Sequence, residues 1–254
     1  MYRMIIRKTP QQVDQMAAAG EILVRCLKML ESKTRAGTTT LELDAAAEKF
    51  IRSQGAEPAF KGYRGFPGSI CASPNSMVVH GIPDSQPLER GDVLSIDVGV
   101  VKDGWVADAA MTVPVGSITP EAEKLLAVTK GSLLVGIEQA RPGNHLGDIG
   151  HAIQRHVEAE GMSIIRTLVG HGIGREMHEE PQVPNFGEPG RGPELEEGMV
   201  LAIEPMVNAG GPLVRMGDDG WAVYSEDDSL AAHFEFTVAV TPEGPRVLTP
   251  WHEA

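Results

Sequence analysis

Apolar residues recur every three or four positions in four stretches of the chain, a spacing typical of amphipathic helices. Two of these stretches lie in the first half of the sequence and two in the second half. Their apolar positions are Val13, Met16, Leu23, Val24, Leu27 and Leu30; Leu43, Ala47, Phe50 and Ile51; Leu125, Thr129, Leu133, Ile137 and Ala140; and Leu146, Ile149, Ile153 and Val157. Pro10 and Pro120 precede the first and third stretches, where proline suits the first turn of a helix. The pattern predicts two helices in each half.

A different pattern, strict alternation, runs from Val93 to Val101 and predicts a strand with one apolar face. Asp97 falls on the opposite, more polar face. Asp103-Gly104 is a strong signal for a two-residue hairpin turn. Such a turn would place Ala110 opposite Asp97 and Asp108 opposite Gly99, and would put Asp97 and Asp108 on one face as diagonal neighbours.

The chain also repeats itself. LERGDVLSID, residues 88–97, matches LEEGMVLAIE, residues 195–204, at most positions, and a carboxylate ends both copies. Two glycine pairs share a spacing, because Gly37 and Gly55 are 18 residues apart, as are Gly143 and Gly161. The repeat predicts a single catalytic domain, 1–254, built of two similar halves at about 10–115 and 119–248. We expect an α+β fold with pseudo-twofold symmetry, in which helices cover one face of a largely antiparallel sheet.

The second half repeats the placement of acids at strands. Leu201 and Ile203 alternate against Glu204, and Phe234, Phe236, Val238 and Val240 alternate with Glu235. Asp97, Asp108, Glu204 and Glu235 are therefore expected to face one cavity on the side of the sheet that the helices leave free. Clustered ionised carboxylates cost several kcal/mol unless cations or protons neutralise them. The duplicated placement favours a divalent metal site over four solvated strand residues.

Composition narrows the functional classes. With 42% hydrophobic and 22% charged residues the chain is globular in composition, and its apolar runs are too short for a membrane helix. A net charge of -13 argues against free nucleic acid as the main ligand. Two cysteines without a C-x-x-C pair predict reduced thiols, and no signal peptide is evident, so we expect a cytoplasmic protein. The basic first eight residues, MYRMIIRK, are interpreted as an ordinary charged terminus rather than a docking patch.

Five separated motifs resemble those of the type I methionine aminopeptidases. They are VVHGIPD (78–84), LSIDVGVVKDGWVAD (94–108), GHGIGREMHEEPQV (170–183), LAIEPMVNAG (201–210) and HFEFTVAVT (233–241). The resemblance runs from about residue 4 to 249 and implies the pita-bread fold. It also implies a metal-dependent hydrolase that removes the initiator methionine from nascent proteins whose second residue is small.

The resemblance implies two divalent metal ions (Mn, Fe, Co or Zn). It also implies a role for individual side chains within the five motifs. Asp97 would chelate one ion, Asp108 and Glu235 would bridge the pair, and His171 and Glu204 would complete the other ion. Glu204 would also accept a proton, while His80 and His178 would be catalytic residues that contact the substrate. The expected substrate pocket comprises Phe60, Tyr63, Phe66, Cys71, His80, Met177, His178 and Trp221. Phe60 and Met177 differ from the best-known bacterial form, but both keep the pocket apolar.

Three alternatives are less favoured. A prolidase or aminopeptidase P usually carries an added N-terminal domain, for which we expect no room here. A type II methionine aminopeptidase would carry a helical insertion between His178 and Glu204, yet only 26 residues separate them. An inactive binding module would have lost metal ligands. The expected partners are nascent polypeptide N-termini and the ribosome near its exit tunnel, with no membrane and no free nucleic acid, and we expect a monomer.

Overall fold

The computed structural model describes residues 4–252. Its four α-helices are α1 (Pro10–Lys33), α2 (Thr40–Ser53), α3 (Pro120–Ile137) and α4 (Leu146–Ala159), as the apolar spacing predicts. Prolines occupy the first turns of α1 and α3, which Thr9 and Thr119 cap through their side chains. Ala140 lies beyond the end of α3, although it is buried. No helix within residues 4–252 is long and apolar enough to span a membrane.

Fifteen strands lie among the described residues. They are β1 (Glu57–Pro58), β2 (Cys71–Pro74), β3 (Met77–Val79), β4 (Val93–Lys102), β5 (Trp105–Pro114), β6 (Ser163–Ile164), β7 (Gly170–Gly172), β8 (Glu179–Val183), β9 (Val200–Ile203), β10 (Met206–Asn208), β11 (Val214–Met216), β12 (Val223–Ser225), β13 (Ala231–His233), β14 (Phe236–Thr241) and β15 (Gly244–Val247). All their pairings are antiparallel. The predicted α+β class is confirmed, but four sheets of three to five strands replace the one expected sheet.

The hairpin of β4 and β5 has the predicted register. Asp97 is opposite Ala110 and Gly99 is opposite Asp108. Asp103 and Gly104 both adopt positive φ, 51° and 74°, as a tight two-residue turn requires. The apolar face of β4 is fully buried and packs with β5 against α1. The opposite face, with Asp97, is left to the site.

In the second half the corresponding pair of strands is interrupted. The β9–β14 ladder belongs to a five-stranded sheet and the β10–β13 ladder to a three-stranded one. Glu204 and Pro205 lie at the break on one side, and Phe234 and Glu235 on the other. Pro205 has no N–H to donate to a ladder, which accounts for the break locally. The two glutamates therefore lie just beyond strand ends, and the interpretation that placed them inside continuous strands is wrong.

The repeat has a structural counterpart before each second helix. The N–H of Gly37 donates to the carbonyl of Leu88 over 2.8 Å, and that of Gly143 donates to the carbonyl of Leu195 over 3.0 Å. Both glycines have nearly equal positive φ, 87° and 88°, so both bends need the left-handed conformation. The two copies of the repeated segment thus hold equivalent loops. The division into halves at about 10–115 and 119–248 stays a prediction.

Candidate metal centre and substrate cavity

One cavity of about 190 Å³ contains every side chain that the sequence suggested for the site. Its lining residues are Phe60, Tyr63, Arg64, Phe66, Cys71, His80, Asp97, Asp108, His171, Met177, His178, Glu204, Trp221 and Glu235. The four acids and His171 line the same cavity as the apolar residues. Sequence reasoning missed Arg64, which lies next to Tyr63 in a left-handed conformation with φ 49°.

Asp108 and Glu235 are brought together where β5 is bonded to the segment 235–237. The hydroxyl of Thr237 donates to the carbonyl of Asp108 over 2.8 Å and accepts from the N–H of Asp108 over 3.0 Å. The N–H of Glu235 donates to the carbonyl of Ala110 over 2.9 Å. These bonds join β5 to the segment from Glu235 into β14. The positions of Asp108 and Glu235 are consequently fixed relative to one another by these hydrogen bonds.

His171 lies on β7 between two glycines, buried beside the acids. Its Nδ1–H donates to the carbonyl of Gly172 over 2.9 Å, which leaves the lone pair on Nε2. Nε2 is 3.6 Å from Glu204 Oε1 and 3.9 Å from Asp108 Oδ2. Burial lowers the pKa of His171 to about 4, so the ring is neutral near pH 7 and its lone pair is free to bind a cation.

The clustered acids hold protons strongly in the absence of a cation. Burial, and then the charges of neighbouring carboxylates, raises the pKa values of Asp97, Glu204 and Glu235 well above their ordinary range. Burial also raises the pKa of Asp108 to about 7, against a hydrogen bond from Asp97 that lowers it. Four ionised carboxylates at this place would repel one another in a medium that screens charge poorly.

The donor set fits a divalent metal ion. Asp108, His171 and Glu235 each offer one ligand atom, and these atoms lie within 4.8 Å of one another. One oxygen each of Asp97, Asp108 and Glu235 is buried without a hydrogen-bond partner. Buried polar atoms without partners are rare and call for an explanation, and a cation supplies one. Carboxylate oxygens with a single imidazole suit first-row divalent metals better than a thiolate-rich zinc site does.

Two further histidines, His178 and His80, line the same cavity as the acids. The Tyr63 hydroxyl is 2.8 Å from His178 Nδ1, and the rings of His178 and His171 are 4.3 Å apart between centroids. Desolvation, with smaller contributions from His171, Arg64 and His80, lowers the pKa of His178 to about 4. His80 lines the cavity in a left-handed conformation, φ 61°, of the kind that clusters at functional sites.

His233 was missed by sequence reasoning. It is buried, and its Nε2 is 3.6 Å from Glu204 Oε2, so Glu204 lies between two imidazoles. Burial lowers the pKa of His233 to about 3, which keeps the ring neutral. Its position two residues before Glu235 in HFEF is the only signal the sequence holds, and that signal did not separate it from a plain core residue.

The apolar part of the cavity is a packed aromatic and thioether wall. Phe60, Phe66, Cys71 and Met177 belong to one buried cluster, against which Tyr63 and Trp221 pack. Phe66 and Trp221 meet edge to face with centroids 5.1 Å apart. Cys71 is opposite Asp97 in the β2–β4 ladder, so the apolar wall begins beside the acids. A linear apolar side chain could lie along this wall with its backbone at the acids.

Comparison with known proteins agrees with this geometry. The sequence profile of metallopeptidase family M24 matches residues 14–242. A methionine aminopeptidase of Clostridium perfringens is 54% identical over 246 residues, which cover 97% of this chain and 99% of that protein. Methionine aminopeptidase 1 of Bacillus subtilis is 50% identical, again over 97% of this chain and 99% of that protein.

Solved structures give the same result. The crystal structure of methionine aminopeptidase from Rickettsia prowazekii matches with a TM-score of 0.96 and 41% identity, covering 97% of this chain and 100% of that chain. The prolidase from Pyrococcus furiosus matches with a TM-score of 0.77 and 24% identity, and only 65% of its length is covered, so the likeness is one of fold. The predicted pita-bread fold is confirmed. The chain belongs to metallopeptidase family M24 and, within it, to the type I methionine aminopeptidases.

Proposed function

We propose that the chain is a metal-dependent aminopeptidase that releases the N-terminal methionine of peptides whose second residue is small. The observation that carries the proposal is the cavity itself, in which a buried cluster of four acids and His171 adjoins an apolar wall containing Met177. An exopeptidase for methionine needs both parts in one space. The names of the similar proteins support the same reaction.

Two divalent ions would be held by the five ligands. Asp97, Asp108, His171, Glu204 and Glu235 would hold the ions through carboxylate oxygens and one imidazole nitrogen. When bound, such a pair polarises the scissile carbonyl and lowers the pKa of water at the site. The unpartnered oxygens of Asp97, Asp108 and Glu235 and the Nε2 lone pair of His171 support this ligand set.

The remaining chemistry falls to side chains that handle protons and orient the peptide. Glu204 accepts a proton from the attacking water at its carboxylate and passes it to the leaving amine. His178 and His80 face the same space and contact the scissile amide, His178 as a neutral ring whose Nδ1 is held by the Tyr63 hydroxyl. In the tautomer whose Nδ1 accepts the Tyr63 hydroxyl proton, the ring hydrogen is on Nε2, and Nε2–H of His178 is free to donate to the oxyanion.

The apolar wall selects the first residue. Phe60, Phe66, Cys71 and Met177 are buried, and Trp221 closes against Phe66, so an unbranched thioether has apolar contacts along its length. We propose the nascent polypeptide N-terminus as substrate, with the ribosome near its exit tunnel as partner and a monomer acting in the cytoplasm. Residues 1–3 of the basic N-terminal stretch lie outside the described residues, and Arg7 is paired with Glu196.

Methionine release from peptides tests the function. Enzyme stripped with a chelator and reloaded with Mn²⁺, Fe²⁺, Co²⁺ or Zn²⁺ in turn should release methionine from Met-Ala-Ser, and far more slowly from Met-Leu-Ser and Leu-Ala-Ser. The readout is free methionine or leucine by chromatography. Absence of methionine release with all four metals would contradict the proposal, and equal release of leucine would contradict the assigned pocket.

Gly99 provides a test of the pocket alone. A Cβ at this position would lie 2.7 Å from Phe60 Cε1 and 2.9 Å from both Met177 Cε and Ala59 Cβ, so Gly99→Ala narrows the pocket and forces these neighbours to shift. We expect kcat/KM for Met-Ala-Ser to fall about 10- to 100-fold, the usual effect of one methyl group in a specificity pocket. Metal affinity, measured by calorimetry, should not change. Gly211→Ala is the matched control, because Gly211, like Gly99, has no positive φ and a Cβ there would lie 3.5 Å from Asp227 Oδ2, an ordinary contact.

A further inference from the structure

The ion pair of Lys8 and Glu179 is unlike the other lysine and arginine pairs within residues 4–252. Lys8 Nζ is 2.6 Å from Glu179 Oε2, and the two side chains are only 2% and 4% exposed. The partners are 171 residues apart in sequence. The neighbouring pair of Arg7 and Glu196 has the same 2.6 Å separation but both side chains are 52% exposed. Exposed pairs contribute little, whereas breaking a buried pair leaves a charge without its partner.

Glu179 is the residue after His178, and its carboxylate closes the loop that precedes it. Oε1 accepts the N–H of Arg175 over 2.8 Å and the N–H of Glu176 over 3.3 Å. Met177 and His178 lie between these donors and Glu179 in the chain. One carboxylate therefore fixes the ends of a segment, 175–179, that carries one wall residue of the substrate cavity and one candidate catalytic histidine.

Backbone and side-chain hydrogen bonds also fix Lys8. Its N–H donates to the carbonyl of Gly198 over 2.7 Å, and Nζ also donates to the carbonyl of Ile6 over 3.1 Å. The next residue, Thr9, caps α1 through a capping box with Gln12. The backbone of Lys8 is thus fixed between α1 and the turn at Gly198, and this fixes the position of its ammonium group.

The Lys8–Glu179 pair packs closely against Gly174. A Cβ on Gly174 would lie 2.5 Å from Glu179 Oε1 and 2.6 Å from Lys8 Cε. The N–H of Val106, on β5, donates to the carbonyl of Gly174 over 2.9 Å. The loop is therefore anchored at its start to β5 and at its end to Lys8.

We propose that the buried Lys8–Glu179 pair positions the 175–179 loop, and through it His178 and Met177, for binding and cleavage of the peptide. The inference rests on the proposed aminopeptidase function. Neither residue touches the substrate cavity, so both are positioning residues. Well-packed apolar residues often replace buried ion pairs without loss of stability. The test therefore measures the effect of the pair on the position of the loop rather than on stability.

The test uses three variants of the buried pair: Lys8→Met, Glu179→Gln and the two changes combined. Arg7→Met is the control, because it removes only the adjacent exposed pair. Kinetics of Met-Ala-Ser cleavage are measured with the metal-loaded enzyme well below its unfolding temperature. Hydrogen exchange of peptides spanning 174–179 is measured on the metal-free protein, with β4 as the internal reference. Exchange reports the N–H groups of Arg175 and Glu176 directly, whether or not the enzyme is active.

We expect Lys8→Met and Glu179→Gln each to lower kcat/KM on the order of 10- to 100-fold, with a rise in KM as well as a fall in kcat. Loss of folded enzyme alone would lower the apparent kcat and leave KM unchanged. The 174–179 segment should exchange faster while β4 does not. The double variant should lose no more than the single variants, because the pair acts as a unit. Arg7→Met should match the parent in every measurement.

Parental kinetics and parental exchange in both single variants would overturn the proposal. Faster exchange with unchanged kcat/KM would also overturn it, since the loop would then be ordered for a reason unrelated to the reaction. A parent enzyme that releases no methionine would instead refute the proposed function. The exchange data would still decide, in that case, whether the pair orders the loop.

Discussion

Replacing Glu204 by glutamine is expected to lower kcat for methionine release on the order of 10²- to 10⁴-fold, the range for loss of a general base. The amide is nearly the same size but accepts no proton. The same change should raise the thermal stability of the metal-free protein near pH 7. Glu204 is buried, and its pKa is raised by burial and by the charge of Asp108, so removing its ionisation relieves a destabilising cluster.

Glu204→Gln is thus expected to lower kcat but to raise the unfolding temperature of the metal-free protein, and a general loss of folded protein would not produce this combination. Kinetics with saturating metal and calorimetric unfolding without metal are the two measurements. Glu197→Gln is the matched control, because Glu197 is an exposed glutamate seven residues earlier in the same half and should change neither quantity. A Glu204→Gln enzyme of parental kcat would remove Glu204 from the proton-accepting role. A lower metal-free unfolding temperature would contradict the account of the clustered acids.

The first half of the site was predictable because local chemistry fixes its register. Asp103-Gly104 is a turn whose two positive φ values these residue types tolerate, and a two-residue loop leaves one pairing for β4 with β5. That pairing sets the shared face of Asp97 and Asp108. Because the alternation of apolar residues independently assigns the buried face, the two signals agree.

The second half was harder because its ladder is broken. Alternation around Glu204 and Glu235 continues through the break, so the pattern cannot reveal that the backbone changes sheets there. Pro205 was the available signal, since proline is poorly tolerated inside a central strand. The acids were still assigned to the cavity, because the repeat relates Glu204 to Asp97. Only their placement inside strands was wrong.

Contacts between distant segments left no pattern to find. Lys8 looks like an ordinary basic residue near a terminus, and Glu179 looks like one acid in a run of two. Their burial arises from the docking of the N-terminal segment on the Gly198 turn, which is a tertiary contact. His233 is similar, because its neighbour Glu204 lies 29 residues earlier, just beyond the end of β9. Such pairs are fixed by the tertiary packing of distant segments rather than by propensity or period.

Removal of the metal is expected to give a protein whose stability falls as pH rises from about 4 to about 7. Asp108 has its pKa raised by burial from 3.8 to about 7, and Asp97, Glu204 and Glu235 are raised too. Below pH 4 the folded and unfolded chains both keep these protons. Between the two values only the folded chain keeps them, so this stabilising contribution is lost as pH rises through the folded pKa.

A bound metal replaces those protons, so the loaded protein should lack this fall, and the gap between loaded and metal-free unfolding temperatures should widen from pH 5 to pH 7.5. At free metal about 100 times the dissociation constant the gap corresponds to about 2.7 kcal/mol. Scanning calorimetry with Mn²⁺ or with chelator at each pH measures it. Asp108→Asn is the comparison variant, because it removes one titrating acid and should flatten the metal-free profile. A gap independent of pH would mean that the acids do not exchange protons for metal, and the cluster would then have to be stabilised by contacts that leave its protonation unchanged.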